Sequence, residues 1–187
     1  MTVELARSPL AHRAADLEAI GDATNGALAV IEIPFLAHID LRVRSSIARE
    51  RAMLLPDAPN TVLRDGPRAA LWLGPDEWLV IGPPCSTAEI SDELGSALSG
   101  THHSIVDVSA NRAVMDLSGP IVREVLSQGC GLDLHPSHWV TGMCAQTLLA
   151  KAAVILEQLT EPTTRVYVRP SFADYVVDWL AVATQSP

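Results

Sequence analysis

A single lysine, Lys151, stands in a 187-residue chain whose positive charge otherwise comes from arginine. Lysine and arginine together number 13 against 22 acidic residues, giving a net charge of −9 and a pI near 5.0. A phosphate-backbone partner needs clustered basic side chains, so nucleic acid is not an expected partner. Cysteine is also sparse. Cys85, Cys130 and Cys144 are odd in number and form no CxxC, which argues against a disulfide framework or a zinc site. No apolar run is long enough to span a membrane, which takes about 18 residues. The longest candidate, 27–41, is broken by Glu32, Pro34, His38 and Asp40. The first residues carry acids and a proline where a secretory signal needs a basic start and an apolar core, so a cytoplasmic protein is expected. GxGxxG, GxxxxGK[ST] and GxSxG are all missing, leaving dinucleotide binding, P-loop chemistry and a serine-hydrolase elbow without a local basis.

What is abundant is apolar residues: 48% of the chain, with a mean hydropathy of +0.22 and only 19% charged. Two readings stay open, an Ala- and Val-rich globular protein or a subunit that hides apolar surface against partners. The residues are laid out twice. Residues 60–98 and 143–180 each give strand-like runs broken by short polar turns, then a proline-containing step into a helix. Such a unit buries one sheet face and has to pair with another layer. The expected class is α+β, made of two ferredoxin-like halves (split βαβ units) with antiparallel sheets and helices on one side. Residues 1–26 read as an extended or partly helical arm, 27–109 as the first half and 110–187 as the second.

Locally, strands are expected at 27–36 and 38–43, split near Pro34, with a helix from the Ser45–Ser46 cap to Met53. Residues 69–73 and 78–81 form a hairpin around Gly74-Pro75-Asp76-Glu77, since proline pre-sets the turn angle. Ser86 to Glu89 is a capping-box pattern opening a helix to about Leu98. Strands follow at 103–108 and 113–117, then Ser118-Gly119-Pro120 leads into a helix over 121–127, with Gly129 as a left-handed terminator. Residues 132–141 are a loop, and 145–150, 153–159 and 164–168 are strands. A last helix covers 172–183, opened by Ser171 with Asp174 and carrying Phe172, Tyr175, Val176, Trp179 and Leu180 on one face.

Few of these residues suggest chemistry. His102 and His103 are neighbours on a strand and point to opposite faces, so they make a poor shared metal site. His135 and His138, near Asp133, have a spacing that admits a metal but lack a completing ligand set. Asp76 and Glu77 sit at a hairpin tip, where adjacent acids are normally solvated rather than catalytic. Asp107 and Arg112 bracket a turn between the halves that serves either the backbone or a partner. Trp72 and Trp78 on paired strands, and Trp139 in the loop, are core or interface anchors.

Three segments carry a specific resemblance: LWLGPDEWLVIG over 71–82, SIVDVSANRAVMDLSGPIVREVLSQGCGLDLHP over 104–136, and VYVRPSFADYVVDWL over 166–180. With LARSPLAHR at 5–13, they resemble the gamma subunits of heterotetrameric sarcosine oxidases over nearly the whole chain. The resemblance implies a small non-catalytic subunit, without metal, cofactor or catalytic residues, in a complex that oxidatively demethylates sarcosine. Its alpha, beta and delta partners then hold FAD, FMN and NAD, and the tetrahydrofolate site lies in the large subunit. The resemblance also implies the fold of the folate-dependent aminomethyltransferases. Those enzymes often carry a histidine after DVS, and here Ala110-Asn111 stands there. Arg7, Trp72, Trp78, Asp107, Arg112 and Trp139 are the candidate partner contacts.

A stand-alone folate-binding or one-carbon-transfer protein is the alternative. A third reading, iron-sulfur maintenance, would rest on Cys130, whose setting Gln128-Gly129-Cys130-Gly131 matches such motifs poorly. Self-association of the lone chain is possible on its apolar content, and deletion of residues 1–25 is expected to weaken assembly while leaving the fold intact.

Overall fold

The computed structural model describes residues 7–51 and 54–185. Leu5, Ala6 and Met53, which the sequence reading used, lie outside them. The elements run α1 (Ala14–Ala23), β1 (Ala29–Glu32), β2 (Ala37–Val43), α2 (Ser45–Glu50), β3 (Val62–Asp65), β4 (Arg68–Gly74), β5 (Glu77–Gly82), α3 (Thr87–Ala97) and β6 (His103–Asp107). They continue through β7 (Ala113–Ser118), α4 (Val122–Ser127), β8 (Cys144–Leu149), β9 (Ala152–Thr160), β10 (Thr163–Val168) and α5 (Pro170–Ala183).

The strands make two antiparallel sheets of five, ordered β3-β4-β5-β2-β6 and β8-β9-β10-β7-β1. Period-two alternation separates their faces. On β5, Trp78 and Val80 point to α2 and α3, while Leu79 and Ile81 point to the other sheet. On β9, Val154 and Leu156 point to α1, α4 and α5, while Ile155 points inward. The four layers are thus helix, sheet, sheet, helix. The expected ferredoxin-like halves are present, each with one extra edge strand, β3 or β8.

The two sheets correspond strand for strand, but the last place in the second is filled from the N-terminus. β1 occupies in the second sheet the position that β6 occupies in the first, pairing Ala29 with Ser118 and Glu32 with Met115. The segment 27–32 was expected in the first half and instead closes the second. α1 follows it. Leu10, Leu17 and Ile20 are buried in the core over the second sheet, and Ser8 and the Leu10 amide bond the Glu32 carboxylate at 2.7 and 3.0 Å. The arm is therefore a structural layer, and removing it would strip one core of several apolar side chains at roughly 1.5–3 kcal/mol each.

Three expected helix ends differ in mechanism. Ser86 precedes α3 but donates to the Pro83 carbonyl at 2.7 Å instead of capping. α5 starts at Pro170, whose fixed backbone angle suits a first turn, so Asp174 is free to face His12 at 2.9 Å and Arg13 at 3.3 Å. Its buried face is Ala173, Val176, Val177, Leu180 and Ala183, which leaves Phe172 exposed. Gly129 is not left-handed; a side chain there would lie 2.6 Å from the Trp179 ring, so the glycine lets α5 come close.

Gly119 has both constraints, a φ of +130° and Ala27 O only 2.2 Å from where a Cβ would stand. Gly119→Ala is expected to destabilise the fold by about 3 kcal/mol or more, read as a lower urea midpoint at unchanged slope.

Candidate functional site

The layer between the sheets combines an apolar cluster with a few buried polar groups. Glu157, fully buried on β9, accepts from the Tyr167 hydroxyl at 2.5 Å and pairs with Arg64 of the opposite sheet. Arg165 grips Asp116 through two hydrogen bonds of 2.6 and 2.8 Å. His38 on β2 is 1% exposed and meets the Tyr167 ring edge-on, with centroids 5.9 Å apart. Neither His38 ring nitrogen has a hydrogen-bond partner among the described residues. Burial, with Arg112 nearby, pushes this imidazole down to about 4, so it is neutral at pH 7. The Tyr167 hydroxyl is pushed upward by burial and then by Glu157. The same burial raises the Cys144 thiol to about 12, leaving it an inert core group rather than a nucleophile.

The residues singled out from sequence fall in separate places. Trp78 is 1% exposed and donates to the Pro56 carbonyl at 2.9 Å, and Trp139 is also core. Neither is a surface that a partner reaches. Trp72 lies directly opposite Trp78 and is half-buried over the α2–α3 side. Asp107 accepts from the Ser109 amide at 2.9 Å and hydroxyl at 2.6 Å, and these bonds hold its carboxyl below the usual range. Ser109 Oγ in turn accepts from the His38 amide at 3.0 Å, so this turn anchors β2. Arg7 is exposed, and Arg112 is half-buried with its Nε unpaired. Arg112 lines the small hollow beside His38.

The remaining candidates are structural. Asp76 accepts from the Ser45 amide at 2.8 Å, and Glu77 pairs with Arg42 at 2.8 Å. His103 Nδ1 faces the Thr101 carbonyl at 3.0 Å while His102 is exposed. His138 pairs with Asp133 and His135 with Ser137 at 2.7 Å, so the loop histidines bind their own loop. Among the described residues, no group of three His, Cys, Asp or Glu is placed to hold a metal ion. No helix of the described chain is long and apolar enough to cross a membrane.

The inter-sheet hollow beside His38, Ser109 and Arg112 measures about 20 Å³, room for roughly one water. A folate ring system needs a pocket of at least about 300 Å³, so it does not fit there. Two larger surface hollows exist. One of about 570 Å³ lies among Arg42, Arg44, Ile47, Asp76 and His102. The other, about 340 Å³, lies between α3 and the first sheet at Leu54, Leu63, Ile90 and Leu94.

A family model described as "Sarcosine oxidase, gamma subunit family" matches residues 40–186. The chain belongs to the sarcosine oxidase gamma subunit family. It is 34% identical to the sarcosine oxidase subunit gamma of Corynebacterium sp. (strain U-96), over 96% of this chain and 90% of that one. It is 36% identical to the corresponding Arthrobacter sp. protein, with the same coverage. Among solved structures, a chain of heterotetrameric sarcosine oxidase from Corynebacterium sp. U-96, determined with pyrrole 2-carboxylate, superposes at a TM-score of 0.86, covering 97% of this chain and 96% of that chain at 34% identity. Aminomethyltransferase T of the Bartonella henselae glycine cleavage system shares the fold, with a TM-score of 0.63 over 88% of this chain and 48% of its own, at 12% identity.

The neutral His38 gives this family member a pH signature. Its folded pKa of about 4 lies below the unfolded value near 6.5, so the unfolded chain binds the proton first. Stability is unaffected by this group above pH 6.5 and falls as the pH drops toward 4, by up to about 3 kcal/mol. Urea unfolding at a series of pH values is expected to show that loss, and His38→Gln is expected to flatten it.

Proposed function

We propose that the chain is the gamma subunit of a heterotetrameric sarcosine oxidase and acts as a non-catalytic assembly component. Its partners are the alpha, beta and delta subunits, which carry FAD, FMN, NAD and the tetrahydrofolate site of the reaction. That reaction is oxidative demethylation of sarcosine to glycine, with the one-carbon unit passing to tetrahydrofolate. The observation that carries the reading is the full-length superposition on a chain of the Corynebacterium complex together with gamma-subunit relatives over nearly all of the sequence. The polar groups of the chain support it. Glu157, the buried acid among the described residues, is bonded by Arg64 and Tyr167, and the hollow beside His38 has the volume of a water.

Co-expression with alpha, beta and delta subunits, followed by size-exclusion chromatography, is expected to return all four chains in one peak. The purified lone chain is expected to turn over no sarcosine, and tetrahydrofolate is expected to leave its melting temperature unchanged, since a ligand of the native form would raise it. A clear rise at low ligand concentration would instead support a stand-alone folate protein.

A further inference from the structure

The end of the second sheet brings together three side chains that the fold itself leaves unsatisfied. Val168 pairs with Ala113, so Arg169 and Arg112 face each other one step beyond the paired strands β10 and β7. Ile33 donates to the Val114 carbonyl at 2.9 Å, which carries the chain after β1 alongside β7 as far as the turn at Pro34 and Phe35. Phe35 and Arg112 line the same small hollow. Phe35, Arg112 and Arg169 therefore lie together at this end of the sheet.

Each member is unusual. Phe35 is 51% exposed and holds a φ of +63°, a backbone region costly for a bulky side chain. Arg112 is half-buried, with Nε shut off from solvent and unbonded, and neither it nor Arg169 forms an ion pair with a described residue. Asp40 and Glu77, the acids that act on Arg112, are already bonded to Arg42, and Glu32, which lines the same hollow, accepts from Ser8 and the Leu10 amide. His38 beneath the row is fully buried with both ring nitrogens unpaired, and being neutral it offers no compensating charge. Two like charges facing each other repel, and a desolvated cation without a partner is costly. In a chain of net charge −9 this row is where an acidic partner is attracted rather than repelled.

We propose that the row Phe35, Arg112 and Arg169 is the docking site for an acidic segment of a partner subunit, its carboxylate lying between the two guanidinium groups and its apolar flank covering Phe35. The exposed apolar patch favours a protein segment over a free anion. Ile31, 56% exposed on the neighbouring edge strand β1, extends that patch. The start of α5 at Pro170 adds the positive end of a 14-residue helix beside Arg169. This inference rests on the assembly role above and names its surface.

The test is co-expression of the four subunits with the gamma chain carrying Arg112→Gln and Arg169→Gln together, or Arg169→Glu alone, beside Val182→Ser on the far surface of α5 as a control. Both arginine variants are expected to be retained at least tenfold less than wild type by a tagged partner subunit. Val182→Ser is expected to be retained normally. The isolated double variant should melt at or above the wild-type temperature, because a repulsion has been removed, and Arg169→Glu keeps the test valid if Arg112 proves necessary for folding. Retention of both variants at the wild-type level would overturn this docking site while leaving the assembly role intact. Failure of the wild-type chain to join the complex would overturn both. Stabilisation of the isolated wild-type chain, but not the double variant, by millimolar inorganic phosphate would reassign the row to a free anion and overturn the proposal.

Discussion

A carboxylate with no access to water, Glu157, holds the two sheets in register. Moved from water without partners, such a charge would cost several kcal/mol, so its place is fixed by the groups that satisfy it. Tyr167 reaches it from the adjacent strand and Arg64 from the opposite sheet, which makes the pairing long-range in sequence and sheet-spanning in space. Backbone bonds at the same edge reinforce it, from the Cys144 amide to the Asn60 carbonyl and from the Val62 amide to the Gly142 carbonyl, both under 3 Å. One side of the inter-sheet layer is thereby closed. The other side, where β1 and β6 are the edge strands, is left with exposed Ile31 and Val106.

That asymmetry links fold to role. A sandwich of two sheets normally buries both inner faces along their length. Here the closed side provides stability, and the open side carries exposed apolar side chains and two arginines, Arg112 and Arg169, that form no ion pair with a described residue. Membership of the sarcosine oxidase gamma subunit family gives those groups a context, since a subunit keeps for its partners what a monomer would bury.

Much of the architecture was legible because it rests on local rules. The Pro75-Asp76 turn, the break at Pro34 and the β4–β5 hairpin follow from turn chemistry, and the duplicated strand-turn-strand-helix pattern gave two ferredoxin-like halves. The destination of β1 was not legible, because Ala29–Glu32 suits an edge strand in either sheet and only its partners distinguish them. Of the residues named as contacts, the tryptophans misled because size marks them equally as core and interface; Trp78 and Trp139 are core. The turn that carries Arg112 marks it in the sequence, whereas nothing local marks Phe35, His38 or Arg169. One signal was available: Glu157, the lone acid within the apolar run of β9, pointed to a buried charge network whose members alternate inward on neighbouring strands.

The borrowed strand has a consequence for how the protein is made. Val30 cannot meet its partner Leu117 until most of the chain has left the ribosome, a delay on the order of several seconds at typical synthesis rates. During that interval the apolar stripe of Leu17 and Ile20 has no sheet to cover it. Nascent gamma chains should therefore depend on chaperone holding more than their small size suggests.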